Sequence, residues 1–302
     1  MFGESDFRSG FVSLVGRPNA GKSSLINAIM GEKLAITSNT PQTTRHKFRA
    51  IYDSDDAQII FVDTPGLHKP HDALGEELNR SAIKSLEDID IVAFCLDASK
   101  PFGSGDKRVL DALKKLSCYR LLIVTKTDLA DAEAIQKQID ETGDYFNFDA
   151  SVAVSAQNQE GIDECLKLIE TALPLGPRWF PEGTKTDQPI EVLISEFIRE
   201  KVLLLTRDEV PHAVGVSIDD MNYNEKKDLS SIYATIYVER DSQKGIIIGK
   251  GGSLIKEIGS EARKDLEHML GNKVFLDLRV KIKKDWRRDA NQIRRFGYGE
   301  GL

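Results

Sequence analysis

A mostly parallel α/β domain followed by a smaller α+β module is the architecture that the sequence predicts, and three observations point to it. Short runs rich in Val and Ile at residues 11–15, 58–62, 91–96, 121–124 and 152–154 alternate with helical stretches, as in a parallel sheet covered on both faces. The rhythm then breaks at Pro174, Gly176, Pro177, Pro181, Gly183 and Pro189, a composition that ends a helix and starts a linker. Beyond the break the order changes: a helical stretch at 190–205, strand-like runs at 213–218 and 232–238, then a glycine-rich turn that leads into a helix. That helix carries Leu254, Ile255, Ile258, Ala262, Leu266 and Met269 at helical spacing, and Leu276, Leu278, Val280 and Ile282 then alternate as a strand does. The expected division is 1–176, a linker at 177–189, and 190–302.

The bulk properties agree with two domains. The chain has 302 residues, more than the ~100 to 200 of a typical single domain. With 40% apolar and 29% charged residues it has the composition of a globular protein and not of a disordered or fibrous one. No apolar run approaches the ~20 residues that cross a bilayer, and the first ten residues carry Glu4, Asp6 and Arg8 in place of a signal-peptide core; a cytoplasmic protein is expected. Cys95, Cys118 and Cys165 are far apart and odd in number, which predicts core thiols and no disulfide or metal cluster.

The net charge of −7 argues against a nucleic-acid partner until it is divided along the chain. Residues 185–302 hold 21 basic and 20 acidic side chains, and 273–295 hold nine basic against three acidic. A basic stripe of this kind attracts phosphate backbones, although a solvated helix face has the same composition.

The first strand leads into Gly16-Arg17-Pro18-Asn19-Ala20-Gly21-Lys22-Ser23, a GxxxxGK[ST] run followed by a helical stretch that begins at Ser24. Its glycines let backbone N–H groups turn toward phosphates at a helix N-terminus. Lys22 is expected to reach the β- and γ-phosphates, and the Ser23 hydroxyl to bind Mg²⁺. Asp63-Thr64-Pro65-Gly66 ends the strand at 58–62, so that Asp63 can hold a magnesium-bound water and the Gly66 N–H can approach the γ-phosphate. Thr125-Lys126-Thr127-Asp128 ends another strand. The Asp128 carboxylate can accept from guanine N1–H and N2–H₂, a pair of donors that adenine lacks. The Lys126 stem would lie along the base, and Ser155-Ala156 can supply a backbone contact to guanine O6.

In this order and spacing the segments resemble the translation-factor class of GTPases, and over nearly the whole chain the pattern is similar to the Era family: a P-loop G domain followed by a type II KH domain. The resemblance implies that Pro41-Gln42-Thr43-Thr44-Arg45 is the first switch, where a threonine joins Mg²⁺ when GTP is bound; Thr44 is the first choice and Thr43 the alternative. It implies that 67–87, with His68, Pro70 and His71 near its start, is the second switch. Thr125 stands where the family commonly has asparagine. The glutamine that usually orients the attacking water is replaced by Leu67, as in a subgroup of GTPases whose hydrolysis is slow or assisted from elsewhere. Asn19 is similar to the asparagine through which related GTPases bind K⁺; a turn residue is the plainer reading.

Gly249-Lys250-Gly251-Gly252 follows an apolar run at 246–248 and opens a helix, where a KH domain places its GxxG loop, a clamp for about four nucleotides. Ser195-Glu196-Phe197-Ile198-Arg199-Glu200-Lys201 and Lys283-Lys284-Asp285-Trp286-Arg287-Arg288 also match the family. Lys283, Lys284, Arg287 and Arg288 are expected RNA contacts. The resemblance implies a GTP-driven switch that binds the 3′ region of 16S rRNA during maturation of the 30S subunit, as a monomer with peripheral membrane contact. The alternatives are a GTPase of RNA modification or of membrane transport, the latter disfavoured by the GxxG loop and the basic stripe, and a nucleotide-bound RNA scaffold that does not turn over, which Leu67 keeps open.

Overall fold

The structure is a computed structural model and describes residues 6–38, 40, 43–63, 72–84, 86, 88–296 and 298. It divides into two compact units, one of residues 1–35, 44–69 and 78–187, the other of 188–302 together with 36–43 and 70–77.

In chain order the first half forms β1 (Arg8–Val15), α1 (Lys22–Met30), β2 (Phe48–Asp53), β3 (Ala57–Asp63), α2 (Ala73–Lys84), β4 (Ile91–Asp97), α3 (Ser104–Leu113), β5 (Tyr119–Thr125), α4 (Ala132–Tyr145), β6 (Ala150–Ala153) and α5 (Ile162–Ala172). The strands make one sheet in the order β2-β3-β1-β4-β5-β6. Every neighbour is parallel except β2, which is antiparallel to β3. β3 and β4 are buried at every position, which is why they read as unbroken apolar runs. On one face Val92, Phe94 and Leu96 pack with Val109, Leu110 and Leu113 of α3. β1 is the switch point of the sheet, with β3 on one side and β4 on the other, so a crevice opens at its C-terminal end. The ends of β1, β3 and β5 carry the motifs read from the sequence.

β2 was not foreseen. Its six residues alternate only weakly, because it is the edge strand and half exposed. Its free edge is covered from within the first unit: Ile51 N–H donates to the Lys185 carbonyl at 2.9 Å, and Ala50 bridges Thr186. Covering an edge in this way removes a site for pairing with other chains. The buried Gln58 holds the same segment, donating to the Phe180 carbonyl at 3.0 Å and accepting from Trp179 and Phe180 N–H at 2.7 and 2.9 Å. Of the 177–189 expected as a linker, residues 177–187 run as a strap along the first unit.

The second unit is built on α6 (Ile190–Leu205), α7 (Val210–Ala213), β7 (Gly215–Asn224), β8 (Leu229–Val238), α8 (Asp241–Ile248), α9 (Ser253–Leu270), β9 (Lys273–Ile282) and α10 (Ala290–Arg295). β7 is antiparallel and β9 parallel to β8. A parallel pair needs a crossover, which α8, the glycine loop and α9 provide. Alternation along β8 sends Ile232, Ala234 and Ile236 into a core with Phe197 and Ile198 of α6 and Ile258, Ala262 and Leu266 of α9. The strand expected from residue 213 begins at Gly215, because Pro211 starts a short helix there. The apolar run 246–248 closes helix α8. Trp286 is a core residue, fully buried, with its indole N–H donating to the Ala213 carbonyl at 2.9 Å.

The cysteines are free thiols. Burial pushes Cys95 and Cys165 up to about 12, which keeps both protonated and unreactive at neutral pH.

Candidate nucleotide site and RNA surface

The P-loop runs from the end of β1 into α1. Gly21 has φ 84°, and a Cβ there would lie 3.2 Å from the Thr125 side chain, so both backbone and space demand glycine. Lys22 is buried beneath the loop, and its ammonium donates to the Arg17 carbonyl at 3.1 Å. Burial lowers its pKa, with Asp63 opposing the shift. A buried cation against neutral carbonyls gains when anionic oxygens replace them. The Arg17 guanidinium turns instead to Asp106 of α3 at 3.2 Å. Ser24 lies in the first turn of α1, and Pro18 and Ala20 complete the loop.

Three oxygens meet beside the loop. Ser23 Oγ donates to Asp63 Oδ2 at 2.7 Å, Thr44 Oγ1 lies 3.1 Å from Ser23 Oγ, and it reaches Asp63 Oδ2 at 3.3 Å. These are hard donors, one of them anionic. Two hydroxyls and a carboxylate brought together in this way are the oxygen donors that Mg²⁺ takes, directly or through its bound water. Thr43, the alternative, turns elsewhere: its hydroxyl bonds Ser38 Oγ and the Thr40 carbonyl, each at 2.6 Å. Thr64, Pro65, Gly66 and Leu67, like Pro41, Gln42, His68, Pro70 and His71, lie outside the described residues.

At the end of β5, Thr125 Oγ1 lies 2.7 Å from the Ala20 carbonyl and 3.0 Å from that of Leu96. Its single proton serves one acceptor at a time, and the shorter contact ties the base-reading segment to the P-loop. Lys126, at φ 57°, donates to the Asn19 carbonyl and to Asp97 Oδ2, both at 2.7 Å, which draws its stem across the site. Asp128 Oδ1 accepts from Ser155 Oγ at 2.7 Å, and Ser155 Oγ in turn accepts from Asn158 N–H at 3.1 Å. Thr127 N–H donates to the Val154 carbonyl at 3.3 Å, holding this segment to the one that carries Ser155 and Ala156. Sequence reading missed Asp97, the side-chain role of Ser155, and Asn27. The Asn27 carboxamide accepts from Leu34 and Ala35 N–H and donates to the Ala35 carbonyl, pinning the chain as it leaves α1. The signal for Asp97 was its place at the end of β4, in register with Thr125.

In the second unit, Gly249, Gly251 and Gly252 have φ 72°, 61° and 80°. A Cβ on Gly249 would lie 2.8 Å from the Leu254 nitrogen, whereas nothing stands within 4 Å of one on Gly251 or Gly252. The outer side of the loop is thus open to close backbone approach. Along α9 and β9 runs a groove of about 1270 Å³ lined by Ile255, Lys256, Gly259, Arg263, Lys273 and Leu276 among others. Its lining is largely apolar, with Lys256, Arg263 and Lys273 set against Asp228 and Glu267, the latter 3.9 Å from Arg263; an apolar floor with basic side chains at its border suits unstacked bases. The residues 283–288 do not line it. Lys284, Arg287 and Arg288 border a separate depression of about 580 Å³ with Glu239, Asp241 and Asp72. Arg287 is engaged there by Glu239 at 2.8 Å and Asp72 at 3.2 Å.

A sheet with this strand order, a phosphate loop after β1 and a helix–GxxG–helix module behind it define a P-loop GTPase joined to a KH domain. Residues 11–126 match the family described as 50S ribosome-binding GTPase, and residues 209–287 match the KH domain family. End to end, the chain is similar to an Era variant from Aquifex aeolicus bound to GDP and aluminium fluoride, at 37% identity and a TM-score of 0.94, covering 97% of this chain and 100% of that one. It is equally similar to Era in complex with MgGDPNP and nucleotides 1506–1542 of 16S ribosomal RNA, at 37% identity and a TM-score of 0.93, covering 97% and 99%. The chain belongs to the Era family of GTPases.

Proposed function

We propose that this protein binds and hydrolyses GTP with Mg²⁺ and binds the 3′ region of 16S rRNA, acting in maturation of the small ribosomal subunit. The reading is carried by one coincidence: a phosphate cradle, an oxygen triad and an open glycine loop occupy a single chain whose relative was crystallised with MgGDPNP and that RNA.

When bound, Mg²⁺ supplies charge neutralisation on the β- and γ-phosphates. Ser23 and Thr44 offer it hydroxyl oxygens, and Asp63 accepts from a coordinated water. The P-loop N–H groups orient the phosphates in line. Lys22 moves its ammonium from the Arg17 carbonyl to the β- and γ-oxygens. Asp128, steadied by Ser155, reads guanine while Lys126 lies along it. With Leu67 in place of glutamine, the chain has no side chain there to orient water, so a second cation is the natural aid. We assign a K⁺ contact to Asn19 on the family resemblance. A monomeric state, a cytoplasmic location and peripheral membrane contact belong to the proposal in the same way; among the described residues no helix is long and apolar enough to cross a membrane.

The RNA half is tested by replacing Lys250 and Gly251 together with Asp. Carboxylates at the open side of the loop repel phosphate. Fluorescence anisotropy with a labelled RNA copying the small-subunit 3′ end should show affinity roughly tenfold weaker or more, with GTP affinity unchanged. Wild-type RNA affinity in this variant would remove the glycine-clamp assignment.

A further inference from the structure

The Glu196–Arg199–Glu200 group on α6 does not line the RNA groove, yet Arg199 and Glu200 are buried charges of the second unit. The Arg199 side chain has 0% exposure. Its guanidinium is gripped in two places by Glu196, Nε to Oε1 at 2.7 Å and Nη2 to Oε2 at 2.6 Å. Nη2 also donates to the main-chain carbonyl of Thr43. On the next residue, Glu200 Oε1 accepts the Thr37 N–H at 2.8 Å, while its other oxygen accepts from Lys201, itself paired with Asp265 at 2.5 Å. Ile36, the residue before Thr37, is buried in the core with Ile194, Phe197 and Ile198. Residues 36–43 fall in the second unit, in which Ile36 is an apolar anchor and Thr37 and Thr43 each make a charge-assisted hydrogen bond with α6.

Thr44, the next residue, belongs to the first unit, with its hydroxyl in the oxygen triad of Ser23 and Asp63. The carbonyl gripped by Arg199 is part of the planar peptide group that connects Thr43 to Thr44. Fixing one side of a planar peptide fixes the direction from which the next residue starts. We propose that Arg199 is a positioning residue for the triphosphate state: by holding the Thr43 carbonyl it presents the Thr44 hydroxyl to the metal, so that docking of residues 36–43 on α6 and retention of Mg·GTP are one linked event. The inference rests on the GTPase reading above. Linkage requires that the two ligands differ; the triphosphate with its metal uses Thr44, and the diphosphate does not. Linkage is also reciprocal: what docking adds to triphosphate affinity, the triphosphate returns to docking.

The test is the ratio of affinities for Mg·GDPNP and GDP, measured on the full chain by displacement of a fluorescent nucleotide. Arg199→Met keeps the stem and removes the donors. It should weaken Mg·GDPNP by roughly tenfold with GDP unchanged, and Arg199→Lys, which keeps a donor, should recover part of the loss. A residue that only stabilised the fold would lower Tm and leave the ratio unmoved; an unmoved ratio overturns the proposal. Loss of both nucleotides by the wild-type chain would instead strike the GTPase reading. The wild-type protein gives a measurement free of folding defects. Hydrogen exchange at the Thr37 amide should be about tenfold slower with Mg·GDPNP than with GDP, and equal exchange in the two states contradicts the linkage.

Discussion

Asp128→Asn is expected to weaken GTP binding by roughly a hundred- to ten-thousandfold and to improve binding of xanthosine triphosphate. Two charge-assisted hydrogen bonds to guanine, each worth about 1.5–3 kcal/mol, are lost or inverted. The amide that replaces one carboxylate oxygen places a donor against the N1–H and N2–H₂ donors of guanine, whereas xanthine presents a carbonyl in place of the amino group. The Ser155 hydroxyl, 2.7 Å from Asp128 Oδ1, can still hold the new side chain, so the effect reports on base reading and not on loss of the loop. Competition between the two nucleotides for a fluorescent analogue measures it. A variant that keeps wild-type preference for guanine would show that Asp128 does not face the base.

Lys22→Ala should reduce GTP turnover by about a hundred- to a thousandfold, the size of effect seen when one preorganised donor is taken from a developing oxyanion. The structure adds a second expectation that sets this loss apart from unfolding. Lys22 is buried, its pKa is lowered chiefly by desolvation, and without nucleotide its ammonium donates to the Arg17 and Gly16 carbonyls. Removing a poorly compensated buried charge relieves the folded state, so Tm without nucleotide should stay level or rise while activity collapses. Calorimetry and phosphate release on the same sample check both. A variant that loses Tm together with activity would mean that Lys22 serves the fold more than the phosphates.

Both residues were legible in the sequence for the same physical reason. The P-loop, Asp63, Thr125–Asp128 and Ser155 are contiguous segments at the ends of parallel strands, and a parallel sheet brings such ends together whatever lies between. Partners contributed from elsewhere in the chain left no such trace. Nothing local marks Asn27 as the pin of the loop after α1 or Ser155 as the holder of the Asp128 carboxylate, and Asp97 carried only its place at the end of β4. Arg199 was visible as part of a family-like stretch, but its role depends on a backbone carbonyl far away in sequence. Charge was the least legible property. Lys283 to Arg288 reads as a basic patch, yet Arg287 is occupied by Glu239 and Asp72, while the basic side chains of the groove are Lys256, Arg263 and Lys273, spread along a helix and a strand. In the fold, β2 escaped because a half-exposed edge strand has a diluted apolar pattern, and the strap at 177–187 reads as a linker because its hold on the sheet is made by backbone groups and the buried Gln58.

Release of phosphate from GTP by the wild-type chain tests the central claim most directly, in Mg²⁺ buffer with K⁺ or Na⁺, each with and without an RNA copying the small-subunit 3′ end. Turnover is expected to need Mg²⁺ and to be raised by K⁺, by the RNA, or by both. Tight GTP binding with no turnover under any of the four conditions would contradict it, and would leave a nucleotide-bound scaffold in place of a switch.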